Sequence, residues 1–127
     1  WVGDSRAYRL RQGQLAQLTT DHTQVQLMVA QGLLTPEQAR HHPWANVLAR
    51  AIGGDAALRV DYHLEALLDG DRFLLCSDGL DKELEPAQIE PILGSSQPTP
   101  TAQALVASAR TAGGRDNITA LVVDFYR

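Results

Sequence analysis

The chain has 127 residues, of which 44% are hydrophobic and 20% charged, a composition typical of one globular domain rather than of a disordered or membrane-embedded protein. The formal net charge is −4, and the 11 Lys and Arg residues form no basic cluster, which argues against nucleic acid as a partner. No apolar stretch approaches the roughly 18 residues that a membrane span requires, so we expect no membrane partner.

The predicted elements follow the order strands, helices, strands, helices, strand. In chain order they are strands 2–10 and 15–18, helices 23–32 and 35–40, strands 47–52, 58–67 and 73–76, helices 86–93 and 101–111, and strand 118–126. This order indicates an α+β fold with layered elements rather than a regular alternation of single strands and helices.

Local signals support several of these elements. Thr35 and Gln38 form a capping pattern around a proline at the first helical position. Polar and apolar residues alternate over 58–67, which predicts a strand with one wet face. The unbroken apolar run 73–76 predicts a central strand that is buried on both faces.

Two aspartates are the strongest candidates for chemistry. Asp78 ends the predicted central strand, and Gly79 lets the chain turn there without an obstructing side chain. Asp116 directly precedes the last predicted strand. Two carboxylates at strand edges can converge on one cation, although each local pattern also fits an ordinary turn.

Asp4 is a third candidate oxygen ligand, near the start of the first predicted strand. Oxygen ligands without an accompanying Cys and His set favour Mg²⁺ or Mn²⁺ over Zn²⁺. Hard ions of this kind bind phosphate, and a pair of them can activate water for in-line attack. The candidate residues therefore predict a hydrolase site that acts on phosphate.

Five motifs in a fixed order make this prediction more specific. They are Gly3-Asp4-Ser5-Arg6-Ala7-Tyr8, Leu18-Thr19-Thr20-Asp21-His22-Thr23, His42-Pro43 with Asn46-Val47-Leu48-Ala49-Arg50-Ala51-Ile52-Gly53, Leu75-Cys76-Ser77-Asp78-Gly79-Leu80, and Gly114-Arg115-Asp116-Asn117-Ile118-Thr119. In order and spacing the chain resembles the C-terminal half of bacterial metal-dependent Ser/Thr protein phosphatases of type 2C (the PPM family), over almost its whole length.

The resemblance implies a fold, a reaction and ligands. The fold would be part of an αββα sandwich with antiparallel sheets, its N-terminal portion missing, in which residues 1–127 are a partial catalytic domain and about 24–42 a mobile flap. Two Mn²⁺ or Mg²⁺ ions would activate water against phosphoserine or phosphothreonine of protein substrates, countering a bacterial Ser/Thr kinase. Asp78 and Asp116 would be ligands of one core metal, and Asp4 would belong to a third, weaker one.

The chain also departs from the family pattern. The Asp-Gly-x-Gly-Gly-His motif, the phosphate-binding arginine and the proposed general acid of the family lie upstream of the first motif, so we expect no catalytic residue within this chain. The chain opens without an initiator Met, as part of a longer protein would, and alone it should be inactive, bind metal weakly and expose sheet surface. The family's third-metal aspartate is Lys82 here, which we interpret as a surface residue rather than a substitute charge. The alternative function is a regulatory or binding module that keeps the fold without the reaction.

Other candidate chemistries fit less well. Cys76 and Lys82 imitate a cysteine-phosphatase loop, but lysine lacks the bidentate fork that holds phosphate. Cys76 is better explained as a small core residue, and as the one cysteine it indicates a reducing, cytoplasmic location. No histidine pair has metal-ligand spacing with acidic or cysteine partners, and His22 is expected to anchor a loop.

Overall fold

The computed structural model describes residues 1–127, which form two compact units. The first unit comprises Trp1–Ser5 and Thr20–Tyr62, and the second comprises Arg6–Thr19 and His63–Arg127. The elements are, in chain order, β1 (Arg6–Arg11), β2 (Gln14–Gln17), α1 (Gln24–Ala30), α2 (Pro36–Arg40), β3 (Arg72–Cys76), α3 (Asp78–Asp81), α4 (Pro86–Leu93), α5 (Pro98–Ala112) and β4 (Ala120–Asp124).

A four-stranded antiparallel sheet forms the frame of the second unit, with the strand order β2-β1-β3-β4. The β1–β2 hairpin turns at Gln12 and Gly13, whose φ angles of 50° and 76° suit the two-residue turns that match the twist of a hairpin. The α+β class, the hairpin and the central position of β3 are therefore confirmed.

One face of this sheet carries the core of the second unit. Alternate residues of the strands point to this face, where α4 and α5 bring their own apolar side chains. The core residues are Tyr8, Leu74, Cys76, Leu80, Leu84, Ile89, Leu93, Leu105 and Ala109. Burial of Cys76 confirms its interpretation as a core residue.

The opposite face of the sheet is open. Leu75, Leu121 and Val123 are 46%, 55% and 42% exposed. Leu74, the neighbour of Leu75 on the helix-covered face, is fully buried. The prediction that β3 is buried on both faces is therefore wrong for this chain, because helices cover only the Leu74 face. The exposed apolar face agrees with the expectation that the chain leaves sheet surface uncovered.

Two arginines connect segments of the second unit that are distant in sequence. Arg11 donates two hydrogen bonds of 2.7 Å to Asp71, and the guanidinium lowers the pKa of that carboxyl to about 2. Arg72 donates to Asp124 and to the carbonyl oxygens of Leu93 and Ser96, which ties β3 to the end of α4.

The predicted strands at 47–52 and 58–67 are wrong, because the structure has only an isolated bridge between Thr23 and Leu48 there. A polar and apolar alternation forms a strand only when a neighbouring strand supplies ladder hydrogen bonds. Two acidic side chains of the 58–67 segment instead form ion pairs with arginines. Asp61 accepts hydrogen bonds from Arg50, and Glu65 pairs with Arg9.

The first unit contains the two short helices that the capping signals predict. Thr23 accepts from the backbone N–H of Gln26 at 3.2 Å, and Thr35 and Gln38 form a complete capping box at α2. Whether residues 24–42 act as a flap stays a prediction. Across the whole chain, no helix combines the length and the apolarity that crossing a bilayer requires.

Candidate metal centre

Asp78 is the first residue of the short helix α3, directly after β3. Its location at the end of a strand agrees with the sequence interpretation, but the chain enters a helix there rather than a simple turn. Ser77 is the N-cap of α3 and makes no side-chain hydrogen bond to the helix. The Ser77 hydroxyl is instead used to join α3 to the segment that precedes β4.

Three hydrogen bonds form this junction. The Ser77 N–H donates to the carbonyl oxygen of Thr119 at 3.1 Å, and the Thr119 N–H donates to Ser77 Oγ at 3.0 Å. Ser77 Oγ in turn donates to the carbonyl oxygen of Asn117 at 3.3 Å. Because Cys76 pairs with Ala120 in the β3–β4 ladder, Asp78 and Asp116 lie on neighbouring segments at the same end of the sheet.

Gly79 permits a close approach between these two segments. A Cβ atom at this position would lie 2.0 Å from the carbonyl oxygen of Asn117 and 2.9 Å from its carbon. The φ angle of Gly79 is not positive, so the glycine is required here for space and not for a left-handed turn. The backbone of α3 thus packs directly against the residue that follows Asp116.

Asp116 is exposed, and its Oδ1 accepts a hydrogen bond of 2.7 Å from the backbone N–H of Asn117. The preceding Arg115 donates to Glu83 at 2.8 and 3.4 Å, and hydrogen bonding to Glu83 raises the pKa of Arg115. This pair fastens the loop before Asp116 to the segment that follows α3. Neither the Ser77 junction nor the Arg115–Glu83 pair has a signal in the sequence, because both join residues more than 30 positions apart.

Lys82 contacts Asp78 directly. Its Nζ lies 2.6 Å from Asp78 Oδ2, and both side chains are half-buried. The interpretation of Lys82 as a simple surface residue is therefore wrong, because one helical turn places the two side chains on the same face.

Asp81 lies next to Lys82 but is directed into the core of the second unit. It is 5% exposed and lies 3.6 Å from Arg6. Arg6 also donates to the Tyr8 hydroxyl at 2.8 Å, and burial is the main reason that the pKa of Tyr8 rises to about 12. Asp81 is therefore part of a buried polar cluster rather than a partner of Asp78.

Asp4 belongs to the first unit, whereas Asp78 and Asp116 belong to the second. The residue before it is fixed by His22: the Gly3 N–H donates to His22 Nδ1 at 2.9 Å, and the His22 N–H donates to the Gly3 carbonyl oxygen at 3.0 Å. His22 Nε2 lies 2.7 Å from Asp61. His22 is therefore a loop anchor, as predicted, and a metal-binding role of Asp4 stays a prediction.

The donor chemistry fits part of a hard-cation site. Asp78 and Asp116 offer carboxylate oxygens at one end of the sheet, which suit Mg²⁺ or Mn²⁺. No group of three or more His, Cys, Asp or Glu side chains in the chain is arranged to hold a metal ion. The residues therefore fit as contributors to a site that needs further ligands.

Comparisons with known proteins find relatives of this chain. No protein-family model matches the sequence. The chain is 41% identical over 123 residues to the serine/threonine protein phosphatase PstP of Mycobacterium tuberculosis, a match that covers 97% of this chain and 24% of that protein. It is 39% identical to the serine/threonine phosphatase stp of Listeria innocua, covering 97% of this chain and 49% of that protein.

A solved structure shows the same architecture. The catalytic domain of the serine/threonine protein phosphatase PstP, in complex with two manganese ions, matches with a TM-score of 0.89 at 36% identity, covering 99% of this chain and 52% of that chain. The chain thus spans from about a quarter to a half of the length of these relatives. Over nearly its whole length, the chain is a homologue of bacterial PPM-type serine/threonine protein phosphatases and corresponds to part of their catalytic domain.

Proposed function

We propose that the protein containing this chain removes phosphate from phosphoserine and phosphothreonine residues of other proteins, with Mn²⁺ or Mg²⁺ as cofactor. The observation that carries the proposal is that the segments bearing Asp78 and Asp116 are joined at one end of the sheet, through Ser77 and the close approach at Gly79. The names of the relatives, and the two manganese ions in the PstP structure, support the same reaction class.

The two aspartates would hold one cation between neighbouring backbone segments. Hydrogen bonds already join these two segments, so binding would order little additional backbone, which favours binding at low entropic cost. When bound, such ions neutralise phosphate charge and make water a stronger nucleophile. Asp4 is proposed to contribute to a third ion.

Catalytic groups other than metal ligands are not evident in this chain. His22 is held between Gly3 and Asp61 as a loop anchor, and the sequence interpretation assigns no catalytic role to any histidine. We therefore propose that residues outside this chain complete the site. We also propose that a cognate Ser/Thr kinase phosphorylates the substrates that this protein dephosphorylates. The single free cysteine, Cys76, supports a cytoplasmic location for the protein.

One observation favours a second candidate, a binding module that retains the fold without the reaction. The Lys82 ammonium lies 2.6 Å from the Asp78 carboxylate, in the position where a metal ion would bind in an enzyme. A complete gene that lacks the Asp-Gly-x-Gly-Gly-His motif would favour this module, and one that contains it would favour the enzyme.

Phosphatase assays of the complete gene product test the proposal. With MnCl₂ and a phosphothreonine peptide, Asp78→Asn and Asp116→Asn should each lower kcat/KM by about 100-fold or more, because an amide removes the charge that binds the cation. Asp55→Asn, an exposed aspartate of the first unit, is the matched control and should keep full activity. Unchanged activity in both site variants would refute the proposed function.

A further inference from the structure

Lys82 is placed so that its ammonium contacts the Asp78 carboxylate. Its backbone N–H donates to the Asp78 carbonyl oxygen at 3.0 Å, the hydrogen bond of one helical turn, and its ammonium lies 2.6 Å from Asp78 Oδ2. Residues four positions apart on a helical turn face each other.

The neighbouring acidic side chains have other cationic partners. Asp81 pairs with Arg6, and Glu83 pairs with Arg115. Lys82 is also the one lysine in the chain. A lysine ammonium is a compact point charge on a flexible stem. It can therefore pair with a carboxylate and be displaced from it by a more strongly bound cation.

We propose that Lys82 is a resident cation that competes with the divalent metal ion for Asp78 and so weakens metal binding. This inference rests on the proposed function, since it takes Asp78 as a metal ligand. Metal binding must either displace the ammonium or place a second positive charge beside it, and both cost free energy. A unit charge about 5 Å from a divalent ion in a water-like dielectric lowers affinity by about tenfold.

The competition has a characteristic dependence on ionic strength. Repulsion between the ammonium and the metal ion is screened by salt, because the Debye length falls from about 10 Å at 0.1 M to about 3 Å at 1 M. The effect of Lys82 on metal affinity should therefore be larger in dilute buffer than in concentrated salt.

Isothermal titration of the complete gene product with MnCl₂ tests this inference. Lys82→Gln should bind Mn²⁺ about tenfold more tightly than the unaltered protein at low salt, and this difference should be smaller at 1 M NaCl. Lys82→Arg keeps the charge and should bind weakly, like the unaltered protein. Arg110→Gln removes an exposed charge from α5 and should leave the affinity unchanged, which controls for net charge.

The outcomes separate this inference from the proposed function. Equal or weaker Mn²⁺ binding by a folded Lys82→Gln variant, with Asp78→Asn still impaired, would overturn the competition and leave the ligand assignment intact. Unchanged binding by Asp78→Asn, or no Mn²⁺ binding by any variant, would overturn both. Circular dichroism of each variant establishes that it is folded.

Discussion

At the scale of single residues, the candidate site depends on two small side chains as much as on its aspartates. Ser77 uses its hydroxyl to join α3 to the segment before β4, and Gly79 leaves room for the Asn117 carbonyl. The sequence pattern Ser-Asp-Gly marks an important position, but it suggests a turn. Only the structure shows that the glycine serves a close approach between distant parts of the chain.

The role of Gly79 leads to a prediction. In Gly79→Ala the new methyl group would lie 2.0 Å from the Asn117 carbonyl oxygen, so the backbone segments must separate. We expect a loss of about 1–3 kcal/mol in unfolding free energy and weaker Mn²⁺ binding, measured by urea denaturation and calorimetric titration.

Gly94→Ala is the matched control for this substitution. A Cβ atom at Gly94 would meet a Leu10 methyl group at 3.4 Å, an ordinary contact, and the φ angle of −87° suits alanine. We expect both properties to stay near those of the unaltered protein. If Gly79→Ala behaved like Gly94→Ala, the close approach would not matter for the site.

At the scale of elements, local signals succeed where the element is defined by its own residues. The capping box at Thr35 and Gln38 predicts the start of α2, and helix α4 has the predicted bounds, Pro86–Leu93. Local signals fail where an element needs a distant partner. The alternation over 58–67 is that of a half-buried strand, but no neighbouring strand pairs with it, and Asp61 and Glu65 pair with arginines instead.

Strand ends show the same dependence on distant residues. The first strand begins at Arg6 rather than Val2, since Gly3 bonds to His22 instead of to a neighbouring strand. The last strand begins at Ala120 rather than Ile118, because Asn117 and Thr119 are engaged by Ser77. These boundaries follow from tertiary contacts that no local pattern encodes.

The packing of α5 against the sheet leads to a second prediction. Leu105 is fully buried in the core, so Leu105→Ala should lower the unfolding free energy by about 2–5 kcal/mol through lost burial and a residual cavity. Leu121→Ala removes the same side chain from the open face, where the leucine is 55% exposed.

Urea denaturation distinguishes the two faces in the isolated chain. We expect the cost of Leu121→Ala to be less than half that of Leu105→Ala, because less surface leaves water at the open face. Equal costs would mean that the open face is covered in solution.

At the scale of the whole molecule, the structure provides one apolar sheet face without a cover and two aspartates without a complete ligand set. Both features accompany a match to about half of the relatives' catalytic domain. The ordered motifs predict this fold and predict that Asp78 and Asp116 are ligands of the same metal ion. That Asp78 and Asp116 lie at the same end of the sheet could not be derived from spacing, because it depends on the register of β3 against β4 and on the Ser77 junction.

The most direct test of the account is the position of Mn²⁺ in a crystal of the complete gene product, located by its anomalous scattering. The account predicts a manganese ion within about 2.5 Å of carboxylate oxygens from both Asp78 and Asp116, with Lys82 moved away from Asp78. Manganese bound elsewhere, with the Lys82–Asp78 pair intact and Asp116 free of metal, would contradict it.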